Sequence, residues 1–193
     1  MLARMTALDP SALMGIDVHV HVESDGHGHL SLDDELLAAS ARYFKTAGDR
    51  APTVEQIAGY YRQRQVAAVV FTVDAETATG HPGLSSEEMA DRAAAHADVL
   101  IPFGSVDPHG GAEAVRRARR LISEHGVRGF KFHPSLQAFS PDDRSHYPLY
   151  AVIEEAGLPA VFRTGQTGIG AGLPGGRPKI LKHNAARLLG LDA

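Results

Sequence analysis

Apolar and polar positions along the chain sort into short β-branched runs that end in polar residues and lead into stretches with helical spacing, the pattern of parallel strand–helix units. Five runs carry the strand pattern: Gly15 to Val22, Val66 to Asp74, Leu100 to Pro108, Val127 to Pro134 and Leu158 to Gly165. The last four begin 34, 27 and 31 residues apart, close to the roughly 30 residues of one strand–helix–strand unit. No repeated signature lies inside that period, so it reflects supersecondary structure and not a solenoid. Between the runs, Thr53 with Gln56 and Ser85 with Glu88 have capping-box spacing, and Gly126 and Gly157 sit where a left-handed residue ends a helix. Leu30 to Gln65 holds two helical patterns broken around Gly48 to Pro52, an elaborated first crossover. After Gly165 the pattern becomes a glycine-rich loop to Gly176, followed by one helix from about Pro178 to Leu189.

The 193 residues, 44% of them hydrophobic, suffice for one full-sized core, so a single domain over 1–193 is expected. A formal charge of −4 argues against nucleic-acid or acidic-membrane partners and in favour of a small-molecule substrate. The longest strongly apolar stretch, Val66 to Phe71, is strand-sized, and Met1 to Met14 lacks the apolar centre of a signal peptide, so a cytoplasmic protein is expected. Cysteine is absent while histidine numbers eleven, so any metal must be held by His, Asp or Glu.

Strict alternation in G-I-D-V-H-V-H-V puts Ile16, Val18, Val20 and Val22 on one strand face and Asp17, His19 and His21 on the other. Two imidazoles two residues apart on one face are able to share a cation; the alternative is a polar face turned to solvent. In G-F-K-F-H-P, Lys131 and His133 share a face opposite Phe130 and Phe132. In a parallel barrel that places an ammonium and an imidazole at a strand's C-terminal end, where such enzymes keep their chemistry. The alternative is a Lys and a His paired with carboxylates on a strand rim. Asp74 and Asp107 also end strands, either as caps or as ligand contacts. His27 and His29 lie in a glycine loop, and the other histidines read as surface or capping residues. Arg116, Arg117, Arg119 and Arg120 read as the solvated face of a helix whose Val115, Ala118, Leu121 and Ile122 face inward.

I-D-V-H-V-H at Ile16 to His21, G-F-K-F-H-P-S-L-Q-A-F-S-P-D-D at Gly129 to Asp143, Y-P-L-Y at Tyr147 to Tyr150 and T-G-Q-T-G-I-G-A-G at Thr164 to Gly172 together resemble the amidohydrolase-related proteins. That branch of the amidohydrolase superfamily includes aminocarboxymuconate semialdehyde decarboxylase. Ile180 to Leu191 is similar to the family's final helix. The resemblance implies an α/β fold of the TIM-type barrel kind and a divalent metal, most often zinc, held by His19 and His21. It also implies hydrolysis or non-oxidative decarboxylation of a small substrate, with Lys131 and His133 beside it as catalytic residues.

Two departures from the family pattern accompany it. Arg163 stands where the family's strand-five ligand histidine belongs, and a guanidinium has no lone pair to offer a metal. The glycine loop runs directly into the final helix, so strands six to eight are missing at a seam near 173–178, leaving about five strands of the barrel. The only histidine after Gly165 is His183 and the only aspartate Asp192, neither placed for the family's catalytic histidine or aspartate ligand. Two open sheet edges then predict self-association into a homo-oligomer. The two expectations to separate are an active metal-dependent enzyme and a catalytically impaired family member. Lys131 and Arg163 together suit a carboxylate-bearing substrate.

Overall fold

A computed structural model describes residues 8–35, 37, 38, 42 and 51–163. The glycine-rich loop Gly165 to Gly176, the expected helix at 178–189, the seam near 173–178, and His183 and Asp192 lie outside the described residues. Each expected run contains a strand: β1 (Gly15–His21), β2 (Val66–Phe71), β3 (Leu100–Pro102), β4 (Phe130–Phe132) and β5 (Ala160–Phe162). All pair in parallel, in the order β1-β2-β3 and β4-β5. A bridge between Gly104 and Phe130 joins the two sets, with Gly104 N–H donating to Gly129 O at 2.9 Å and Lys131 N–H to Gly104 O at 2.8 Å. The close approach there requires glycine: a Cβ on Gly129 would lie 2.4 Å from Phe103 Cζ.

The helices α1 (Val54–Arg62), α2 (Glu76–Thr79), α3 (Ser86–Ala94), α4 (Ala112–Ser123) and α5 (Tyr147–Glu155) fill the crossovers. Local chemistry fixes their ends. Thr53 and Gln56 form the reciprocal capping box of α1, Ser85 Oγ accepts from Glu88 N–H at the start of α3, and Gly126 (φ +63°) and Gly157 (φ +65°) follow α4 and α5 in the left-handed region. Their apolar faces cover one side of the strands. Val54, Ile57, Ala58, Met89 and Ala93 pack on Ala68 and Val70 of β2, while Ala118, Leu121, Leu149, Val152 and Ile153 pack on Phe130 and Phe132 of β4. The other side carries Val69, Phe71 and Phe103, with Ile101 and Val161 packed against them. Among the described residues no helix is long and apolar enough to cross a membrane.

β1 breaks the strict alternation expected of it. Asp17 pairs with Ala68 but Val20 pairs with Val70, three residues on β1 against two on β2, so the strand carries one extra residue between them. Such a bulge shifts the phase of every later side chain. Asp17 therefore sits level with the helix-facing Ala68, where Tyr61 Oη of α1 donates to its Oδ2 at 2.6 Å. His21 sits level with Phe71 on the opposite side. The expectation that Asp17 shares a face with His19 and His21 is thus corrected. The basic face of α4 also departs from expectation: Arg117 turns from solvent to bridge Glu87 of α3 (2.7 Å) and the buried Asp74. His146, expected at the surface or as a cap, is buried at the N-cap position of α5, without a side-chain capping bond.

Candidate functional site

The side of the sheet opposite the described helices gathers His19 and His21 from β1, Lys131 and His133 from β4 and its end, and Arg163 directly after β5. Phe71 is the common wall. The His19 and His21 rings stand edge-on to it, with centroids 5.3 and 4.8 Å away, and Lys131 Nζ lies 5.0 Å from its centre. His19 Nε2 and His21 Nε2 face each other at 3.2 Å. Behind His21, Glu23 Oε1 is 3.7 Å from Nδ1, a carboxylate that favours the Nδ1–H tautomer and leaves the Nε2 lone pair toward His19.

Lys131 is fully buried, and among the described residues its Nζ has no hydrogen-bond partner. Pairing with a rim carboxylate, the structural alternative for this residue, is therefore not what the fold provides. Desolvation, with the Arg163 guanidinium adding to it, holds the ammonium at about 8 instead of its ordinary 10.5. His133 is also fully buried. Its Nδ1 accepts the Leu136 N–H at 3.2 Å, which leaves the proton of the neutral ring on Nε2, and that atom has no partner. Burial first, and then the charges of Arg163 and Lys131, push His133 down to about 3; His21 is likewise held at about 3 by burial and by its neighbours. Burial lowers His19 as well, against a small opposing pull from Asp17. All three imidazoles are neutral at pH 7.

Gln137 is the positioning residue that the alternation pattern does not reveal. It is fully buried, its Oε1 accepts His133 N–H at 2.7 Å, and its Nε2 donates to Asp74 O (2.7 Å) and Val106 O (3.0 Å). One amide thus ties the turn after β4 to the segments following β2 and β3. The spacing H-P-S-L-Q, four residues from His133, is the only sequence trace of it. The remaining candidates fall outside the cluster. Asp74 pairs with Arg117, Asp107 caps the turn at Pro108–Gly110 by accepting His109 N–H at 2.9 Å, and Asp25 accepts the His27 and His29 N–H groups within its own loop.

The family model described as Amidohydrolase matches residues 16–178 of this chain, from the second residue of β1 to beyond β5. The chain belongs to the amidohydrolase family. No curated protein sequence matches it. Among solved structures, one similar to this chain is 5-carboxyvanillate decarboxylase from Novosphingobium aromaticivorans, holding manganese and 3-methoxy-4-hydroxy-5-nitrobenzoic acid. The similarity has a TM-score of 0.46 at 14% identity, over 98% of this chain and 57% of that one. The chain thus spans little more than half the length of that structure.

Proposed function

We propose that the chain carries a metal-dependent amidohydrolase-type active site on the first five strands of a TIM-type barrel, acting on a small carboxylate-bearing substrate by hydrolysis or non-oxidative decarboxylation. The observation that carries this is the 3.2 Å separation of His19 Nε2 and His21 Nε2. Two nitrogens bound tetrahedrally to a zinc-class ion at about 2.0 to 2.1 Å lie about 3.3 Å apart. Both rings are neutral at pH 7, as ligands must be. The donor set fits two coordination positions, and among the described residues no group of three or more His, Asp or Glu side chains comes together to hold a metal. When bound, a divalent ion supplies a polarised carbonyl or a water acidified toward pH 7.

The protein's own groups divide the remaining work. Arg163 and Lys131 receive the substrate carboxylate, the guanidinium as a planar fork and the ammonium as a point charge. His133 holds a proton on Nε2, donates it as a hydrogen bond to a substrate oxygen, and is kept in that tautomer by the Leu136 N–H. Phe71 and Phe103 form a dry wall that strengthens these interactions. Zinc equilibration in acetate buffer followed by dialysis tests the proposal: about one equivalent retained, and lost in His19→Ala, supports it. Metal-free protein under those conditions refutes it.

A second reading, a catalytically impaired family member, is favoured by Arg163, whose charge faces the histidine pair from a ligand position. It predicts no turnover of activated esters, lactones or β-keto acids even in metal-loaded protein. It also predicts self-association, with Met14, Ile16 and Val18 exposed along β1. A clean monomer by light scattering at micromolar concentration opposes that part.

A further inference from the structure

We infer that Lys131, Arg163 and His133 form a binding site for a small carboxylate anion whose occupancy sets the affinity of the His19–His21 pair for a divalent cation. The inference rests on the two-histidine metal reading above and adds a linkage to it. Each of the three side chains presents N–H groups to the cluster and no acceptor. Among the described residues Lys131 Nζ and His133 Nε2 are fully buried without a partner and Arg163 has no ion pair. Asp17, the one carboxylate that alternation would have turned into the cluster, is drawn to Tyr61 instead. Two buried donors left unmatched, one of them the Lys131 ammonium, are costly; an anion satisfies both and pairs with the half-buried Arg163 guanidinium as well.

The same charges act on the metal position. Lys131 Nζ and the His21 ring both lie against Phe71, at 5.0 and 4.8 Å, so the ammonium is at most about 10 Å from the imidazoles across a wall that excludes water. At that range and effective dielectric the ammonium opposes an incoming dication appreciably, and the Arg163 guanidinium, which disfavours charge on both histidines, adds to it. A carboxylate seated between Lys131 and Arg163 cancels much of that repulsion. By reciprocity, the cation tightens the anion by the same factor.

Titration with Co²⁺, followed by its absorption spectrum, in acetate against perchlorate at equal ionic strength reads the linkage directly. The expected result is on the order of tenfold or more tighter Co²⁺ binding in acetate, in the range usual for coupled sites. In Arg163→Met the perchlorate affinity should rise toward the acetate value and the effect of acetate should shrink. Lys131→Met serves as the second variant should the first fail to fold. Equal affinities in the two salts overturn the linkage and leave the two-histidine site standing. No Co²⁺ uptake in either salt, by the parent or the variants, removes the metal site itself. An acetate effect undiminished in both variants shows that acetate acts on the metal and not on this site, and overturns the inference.

Discussion

Lys131→Met is the substitution whose outcome departs furthest from ordinary expectation, because deleting a buried hydrogen-bonding group should here stabilise the protein. The ammonium is fully buried with no partner, and its folded-state value is about 8 against an ordinary 10.5. At about 1.4 kcal/mol for each pH unit, the charged form is disfavoured in the fold by about 3 kcal/mol. Since the folded value is the lower one, the penalty is present in full below pH 8. Stability then rises with pH as the unfolded chain alone still binds the proton, and the penalty is gone above 10.5. Methionine fills a similar volume without charge. Urea unfolding of both proteins in EDTA, with acetate omitted, should make Lys131→Met more stable by up to about 3 kcal/mol at pH 7, with the gap closing by pH 10.5. A variant less stable at pH 7, or a gap that does not change with pH, refutes the account of Lys131 as an uncompensated buried charge.

Other positions test the surrounding framework. Gly129→Ala forces a Cβ into the Phe103 ring and should cost about 2 kcal/mol or more in urea unfolding, since neither β3 nor the ring has room to retreat. Arg117→Met strips Glu87 and the buried Asp74 of their shared cation and should cost about 2 kcal/mol, less than a fully buried pair because all three retain some exposure. The Arg117 guanidinium holds Glu87 at about 2 against 4.5, so the parent should lose this contribution as pH falls from about 5 toward 2, and the variant should show a flatter acid limb. Tyr61→Phe removes the donor to Asp17 and should cost about 1 kcal/mol, with the carboxyl shifting upward in an NMR titration because the lost hydrogen bond was the main cause of its lowered value.

Most of the strand–helix framework was legible because its signals are local. The five runs, the Thr53 and Ser85 caps and the glycines at 126 and 157 each depend on residues within a few positions of one another. Gathering His19, His21, Lys131, His133 and Arg163 also needed only the rule that parallel strands expose their C-terminal ends together. What escaped the sequence depends on partners far along the chain. The bulge in β1 interrupts a stretch that alternates without a glycine or proline to mark it, and Asp17 is drawn to the far side by Tyr61, 44 residues away. Arg117 reads as one of four similar arginines until the fold brings Glu87 and Asp74 to it. Gln137 ties three strand ends together through backbone carbonyls, which no side-chain pattern records.

The extra residue in β1 makes the sign of this pocket a matter of strand register. With it, the aspartate two positions before the first histidine is exported to the helical layer, and the pocket keeps its cations unopposed. Deleting Val18 would remove the bulge and still leave Asp17 opposite Ala68 on the helical side, because Asp17 and His19 would then be neighbours on opposite faces. A one-residue slip of the strand before the bulge against β2 would instead turn that carboxylate inward, changing the pocket's net charge while leaving every residue in the sequence.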